Sequence, residues 1–401
     1  MTMATPRTPV HLSALGLVSA LGRGKAAVAR GLFAGDTSGL VLEEGWLPGK
    51  TSRVGRVAGD LPEVPAALAW DDSRNTRLIL AALEEIRDEV EAELARHGPS
   101  RIGVVLGTST SGIEAAERAM VTHGATGALP PWFHYQCQEM GRPALFLAQA
   151  LGLTGPAFTV STACTSSGKA LAAARNLLRL GLCDAVITGG ADSLCRLTLN
   201  GFAALEASTD GLCQPMSRNR AGINIGEAAV LFILRREPAE LELLGVGESS
   251  DAYHLSAPDP SGRGAEAALR LALADAGLEP GTVEGYLNLH GTGTPLNDEM
   301  ESQAVARVLP QLPCSGTKPL TGHTLGASAA LELALAWLTL HPGYNPEGLL
   351  PPHRWDGQAD PALPVLNLVQ DGARLAPGGV CLSNSFAFGG NNLALVAGRT
   401  R

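Results

Sequence analysis

The chain has 401 residues, of which 45% are hydrophobic and 17% charged, so it can bury a large core and is neither disordered nor fibrous. Thirty Lys and Arg against 39 Asp and Glu give a net charge of −9, which argues against a general nucleic-acid-binding surface and leaves room only for a local basic patch. Seven cysteines with no CxxC pair argue against a disulfide framework and a structural zinc site, and they fit a reduced, cytoplasmic setting.

In chain order, HLSALGLVSALG (11–22) has the apolarity of a signal-peptide core, but only Arg7 precedes it and no cleavage site follows, so it is read as a first strand and turn. IGVVLGTST (102–110) is a buried strand running into a small-residue loop. AFTVSTAC (157–164) repeats that pattern, and the helix of 166–181 follows and stops at Gly181. CDAVITGGAD is another strand ending in glycines. A break between two similar halves falls near 235–245, which divides the chain into 1–240 and 241–401.

In the second half, VEGYLNLHGTGT (283–294) is again strand then loop, followed by the acidic helix NDEMESQAVARVL. Residues 318–340 form a loop and then a helix that is apolar nearly all round, hence buried. The segment 349–364, rich in proline, is read as an irregular surface loop, and 378–398 closes the chain as strand, Gly-rich loop, strand. Alternating strands and helices indicate an α/β layered fold. The apolar run near 326–340 contains Glu332 and is too short to span a bilayer, which needs ~20 residues.

Cys164 lies between a strand and a helix opened by Thr165, Ser166 and Ser167. At a helix N-terminus the unpaired amides favour a thiolate, so this cysteine is a candidate nucleophile with a lowered pKa; the alternative is a small buried hydrophobe. His290 and His323 each sit in a Gly/Thr wrapping at a strand end or helix start. Two neutral imidazoles converging on one oxygen stabilise an acyl intermediate without metal, whereas the 33-residue separation lacks the short ligand spacing of zinc sites. Glu332 is the one charge in its helix, and Lys318 is the nearest partner for it. Backbone amides of the 384–390 loop and of Cys164 are candidates for the two halves of an oxyanion hole. No phosphate-loop or dinucleotide fingerprint is present.

VSTACTSS, SSDAYHLSAPDPSGRGA, LHGTGTPLND, TKPLTGHTLGASAALE and LSNSFAFGG, in this order, resemble the elongating β-ketoacyl-acyl-carrier-protein synthases of the thiolase superfamily over nearly the whole chain. The resemblance implies a duplicated five-layer α/β/α/β/α fold, usually dimeric, and a ping-pong condensation without a cofactor beyond the phosphopantetheine of acyl carrier protein. It implies Cys164 as acyl acceptor, and His290 and His323 as holders of the enolate formed from malonyl-carrier protein. It further implies Lys318 and Glu332 as support for the His323 region, the Cys164 and Phe388 amides as oxyanion hole, and Phe388 as gate. Thr292, Thr294 and Phe386 would line the substrate tunnel.

The segment PMSRNRAGINIGEAA (215–229) lacks the family's usual acidic residues, and Asn391-Asn392 replaces a usual Thr-Asn. These departures resemble synthases of specialised polyketide or aryl-polyene pathways, some of which pair with a catalytically silent chain-length-factor homologue. A silent partner subunit and a coenzyme A-dependent thiolase are the alternatives. The presence of Cys164 opposes the first, and Cys381 followed by Leu-Ser-Asn opposes the second. Carrier proteins are acidic, so docking needs local cations; Arg74, Arg77, Arg218 and Arg220 are the candidates.

Overall fold

A computed structural model describes residues 8–400; Arg7 lies outside the described residues. Ten strands form one continuous path built from two sets of five. The first set is β1 (His11–Ser19), β2 (Ile102–Gly107), β3 (Ala157–Val160), β4 (Ala185–Asp192) and β5 (Ala228–Arg235). The second is β6 (Leu241–Ser250), β7 (Gly285–Leu289), β8 (Cys314–Gly316), β9 (Val380–Ala387) and β10 (Asn391–Arg399). Their order is β3-β2-β4-β5-β1-β6-β10-β9-β7-β8.

The two sets follow one plan. β1 pairs antiparallel with β5, β5 antiparallel with β4, and β4, β2 and β3 run parallel. In the second set β6 and β10, then β10 and β9, are antiparallel, while β9, β7 and β8 are parallel. The sets meet at a single pair, His11 with Glu242. The sequence gives the reason for burial on both faces: β5 reads AAVLFILR, a continuous apolar run, as expected of a strand covered by helices on each side.

Six helices complete the layers: α1 (Arg74–Glu84), α2 (Arg142–Ala150), α3 (Ser166–Arg179), α4 (Arg263–Ala276), α5 (Pro295–Val308) and α6 (Ser328–Leu340). α1 and α2 cover the outer face of the first sheet, and α4 and α5 that of the second. α3 and α6 pack on each other between the sheets. This is the five-layer α/β/α/β/α thiolase-like arrangement. Every residue of α6 is buried, and the largest apolar cluster surrounds α3 and α6. Among the described residues no helix is long and apolar enough to cross a membrane, and all seven cysteines are free and buried.

One expectation changes here. The 349–364 segment is irregular, but Leu350, Pro351, Pro352 and His353 are buried, with the His353 side chain held between two other segments.

Candidate active site

The turn at Cys164 is built by small hydroxyls. Thr165 Oγ1 donates to Thr162 O at 2.8 Å, and Ser166 Oγ accepts from Thr162 N at 2.9 Å. Ala163, immediately before Cys164, has φ 52°, the left-handed region that a residue with a β-carbon rarely adopts. The turn thus re-aims the chain between β3 and α3 and presents the Cys164 thiol to the space between the two halves.

His323 faces it: Cys164 Sγ lies 3.0 Å from His323 Nε2. The His323 backbone is fixed by a segment that its own motif does not contain. His323 N donates to Asn224 O at 2.7 Å, and Gly226 N donates to His323 O at 2.9 Å. Glycine is required at 226 because a β-carbon there would collide with Thr321 O. The ring of His290 meets that of His323 edge-on at 5.3 Å between centroids, and the Phe386 ring at 5.8 Å.

His290 follows β7 and is held from both ends. Glu301, on α5, accepts from His290 N at 2.7 Å and from Gly291 N at 2.8 Å. Lys318 Nζ lies 3.3 Å from His290 Nδ1, also donates to His290 O, and pairs with Glu332 at 2.5 Å. An ammonium only donates, so His290 Nδ1 accepts and Nε2 carries the proton. That tautomer directs an N–H donor away from Lys318. Glu332 is further held by Ser328 Oγ at 3.2 Å and Ser385 Oγ at 3.4 Å. The lone carboxylate of the apolar helix is therefore fully partnered.

Burial pushes both histidines well below their ordinary pKa, with the Lys318 charge adding to the effect, so both imidazoles are neutral at pH 7. Burial also pushes the Cys164 thiol up to about 12, opposed by Lys318, in place of the lowering expected from the helix N-terminus. The resting site accordingly holds a neutral thiol against a neutral imidazole, and ionisation is tied to proton transfer. Cys164, His290 and His323 place their ligand atoms within 4.8 Å of one another, a spacing that also suits a metal ion. The Lys318 ammonium against His290 Nδ1 opposes that use, because a second cation would be repelled at short range.

A cavity of about 290 Å³ opens onto this cluster and is lined by Cys164, His290, His323, Thr292, Thr294, Phe386 and Phe388 among others. Thr292 Oγ1 and Thr294 Oγ1 are 2.8 Å apart. Phe388 stacks on Phe202 at 5.5 Å and is partly exposed. Phe202 escaped the sequence reading, as did Asp192, whose buried carboxylate accepts from Ser109 N, Thr110 N and Gly326 N and ties three segments behind Cys164. Cys381 is buried within β9 and is not among the cavity-lining residues.

Of the four basic candidates, three are held in ion pairs within the chain. Arg74 forms a fork with the fully buried Glu227 (2.5 and 2.7 Å), Arg77 with Asp72 (2.6 Å), and Arg220 pairs with Asp360 (2.5 Å). Arg218 is exposed.

Comparison with known proteins settles what this arrangement belongs to. Residues 66–239 match the model of the beta-ketoacyl synthase N-terminal domain, and 241–350 that of the C-terminal domain. The chain belongs to the β-ketoacyl synthase family. It is an acyltransferase that forms carbon–carbon bonds by condensing acyl groups carried on acyl carrier protein. The synthase is 34% identical to nodulation protein E of Rhizobium meliloti, with 74% of this chain and 75% of that protein covered. It is 31% identical to 3-oxoacyl-[acyl-carrier-protein] synthase 2 of Staphylococcus aureus, with 79% and 82% covered. Among solved structures, the ketosynthase ApeO of Xenorhabdus doucetiae, determined in complex with its chain length factor, is 45% identical at a TM-score of 0.92, with both chains fully covered.

Proposed function

We propose that this synthase is the active ketosynthase of a specialised, aryl-polyene-type pathway, working with acyl carrier protein and paired with a chain-length-factor-like homologue. The observation that carries the reading is the convergence of Cys164, His290 and His323 on one cavity in a chain this similar, over its full length, to a ketosynthase solved with such a partner. In this reading residues 1–240 supply the nucleophile, and 241–401 supply both histidines and the Gly-rich loop.

Cys164 Sγ, held against His323 Nε2–H, bonds to the acyl carbon while the bond to the pantetheine sulfur breaks, and the thiol proton goes to that leaving sulfur. Malonyl-carrier protein then loses carbon dioxide, and the electron pair of the broken C–C bond forms an enolate. His290 and His323, both neutral, donate N–H bonds to its oxygen, with Lys318 fixing the His290 tautomer and Glu332 balancing the Lys318 charge. The enolate carbon attacks the acyl-Cys164 thioester. The amides of Cys164 and Phe388 hold the tetrahedral oxyanion, the C–S bond breaks, and the released thiolate takes up a proton. Thr292 and Thr294 meet the pantetheine arm, Phe386 lines its path, and Phe388 gates it. No cofactor other than that arm takes part.

The cavity wall supports a carrier-bound substrate over a free coenzyme A thioester. Glu206 and Asp251 line it, and among the described lining residues there is no Lys or Arg to meet the phosphates of coenzyme A. A face for a partner subunit is also present: β3 is an edge strand, and Met120, Val121, Trp132, Tyr135 and Phe158 are exposed. Arg218 is the basic residue of the four left free to meet the carrier. Co-expression with a chain-length-factor homologue tests the reading: condensation activity in a 1:1 heterodimer supports it, and a fully active homodimer that ignores the homologue overturns it.

A further inference from the structure

We propose that His353 is a positioning residue for His290, acting through Pro215 and Gly291. This rests on the condensation mechanism above and names a third histidine that neither the motifs nor the comparisons single out.

The His353 side chain is buried among backbone groups. Its Nδ1 accepts from Gly316 N at 3.0 Å, and its Nε2 lies 3.0 Å from Pro215 O. A backbone N–H only donates and a carbonyl only accepts, so the two contacts fix one neutral tautomer, with the proton on Nε2. The imidazole thereby bolts Pro215 to Gly316, the last residue of β8.

What lies between these two residues is the loop after His290. Gly291 has φ 45°, and a β-carbon there would sit 3.2 Å from Gly316 Cα and 3.4 Å from Pro215 Cβ. A β-carbon on Gly316 would sit 3.2 Å from Pro215 Cγ. The pyrrolidine ring of Pro215 therefore packs directly on both glycines, with no side chain to cushion the contact. Any displacement of Pro215 is transmitted to Gly291 and hence to the His290 peptide.

The rest of the 213–216 segment braces the same loop. Cys213 Sγ contacts Thr292 O at 3.1 Å. The buried Asp298 accepts from Met216 N at 2.8 Å and Gly293 N at 3.2 Å. Met216 itself has φ 63°, a strained conformation that persists only where its surroundings dictate it. Glu301 holds the His290 loop from the α5 side, and the Pro215 segment holds it from the other. His353 is the contact that ties this second brace to the β-sheet. Burial pushes its pKa down to about 4, so the ring stays neutral and both contacts persist at working pH.

The enolate step demands this brace more than the acylation step does. Cys164 is positioned by its own turn and the His323 backbone by Asn224 and Gly226, with Asn224 Oδ1 meeting Cys213 N at the end of the brace away from Pro215. The His290 N–H, by contrast, must meet the enolate oxygen within a few tenths of an ångström to be effective. Loss of the brace therefore separates the two half-reactions.

The test uses full-length His353→Leu, which removes both contacts, and His353→Gln, whose amide can restore the donor to Pro215 O. Two rates are measured: transfer of acyl groups from acyl-carrier protein to Cys164, and decarboxylation of malonyl-carrier protein. We expect decarboxylation to fall about tenfold or more in His353→Leu, with acyl transfer within about twofold of wild type, and His353→Gln to recover part of the loss. Equal loss of both rates, or loss of neither, overturns the proposal. A wild-type protein inactive in both half-reactions would instead overturn the proposed function, so the two failures are distinguishable. If His353→Leu does not fold, His353→Gln and His353→Asn carry the same comparison.

Discussion

Replacing Lys318 by methionine separates the electrostatic role of this lysine from its structural one. At 3.3 Å from His290 Nδ1 and an effective dielectric of about 20, the ammonium opposes a positive charge on His290 by about 5 kcal/mol. Burial is the larger cause of the depressed His290 pKa, so removing Lys318 raises that pKa part of the way toward 6.5 rather than all of it. The sign follows directly: the enolate step needs neutral His290, so the variant loses decarboxylation at a higher pH than wild type as acid is added. The hydrogen bond that fixes the proton on Nε2 is also lost, and we expect about a hundredfold lower rate at pH 7. Stability falls too, because Glu332 loses its cation; breaking a buried pair costs about 3–5 kcal/mol, reduced here as the carboxyl takes up a proton. The double variant Lys318→Met/Glu332→Leu removes both charges and recovers most of that stability without recovering rate. The assay is decarboxylation of malonyl-carrier protein from pH 5 to 9, alongside the urea midpoint of each variant. A Lys318→Met protein with the wild-type rate and wild-type acid limb would refute the reasoning.

Further outcomes follow from individual contacts. Glu301→Gln leaves one of the His290 and Gly291 amides facing an NH₂ group, so we expect a loss of about 1–3 kcal/mol and a lower condensation rate, read by denaturant titration and product formation. Cys164→Gln keeps both imidazoles in place, so it should decarboxylate malonyl-carrier protein without condensing it; condensation by this variant would show that another group carries the acyl chain. His353 is neutral in the folded chain with a pKa of about 4, against 6.5 unfolded, so its contribution is present above pH 6.5 and lost as pH falls toward 4. That loss amounts to about 3 kcal/mol, and stability measured across this range should be flatter in His353→Gln. Arg74→Glu should lower stability through the buried Glu227 before it changes carrier affinity, whereas Arg218→Glu should weaken carrier binding with the melting temperature unchanged.

The order of strands and helices and the three side chains that converge on the cavity, Cys164, His290 and His323, are legible in the sequence because each sits where an apolar run gives way to glycine, serine and threonine. Glu332 is legible for the opposite reason, as one charge in an apolar helix. What escapes is held by contacts between distant segments. Arg74 and Glu227 are 153 residues apart, and nothing near Arg74 reveals that its guanidinium is already engaged. The helix α5 reads simply as acidic, and nothing in it shows that Asp298 and Glu301, three apart on one face, are fully buried while Leu296 is exposed. The two carboxylates join Met300, Ala304 and Val305 on the buried side because the backbone amides of the 290–293 loop need acceptors. Burial of this kind raises Asp298 to about 6 and Glu301 to about 7. The proline-rich 349–364 segment hides His353 in the same way: irregular backbone suggests surface, but the imidazole satisfies a strand amide and a loop carbonyl inside the protein.

The central claim is that Cys164 carries the acyl chain while His290 and His323 hold the enolate oxygen. A single-turnover experiment tests it most directly: purified acyl-enzyme is mixed with malonyl-carrier protein, and the protein and the carrier are followed by intact mass spectrometry. The account predicts that the acyl mass leaves Cys164 and reappears on the carrier as a β-ketoacyl thioester two carbons longer, with His290→Ala retaining the acyl mass unreacted. An acyl mass that never forms on Cys164, or that transfers at the wild-type rate without His290, would contradict it.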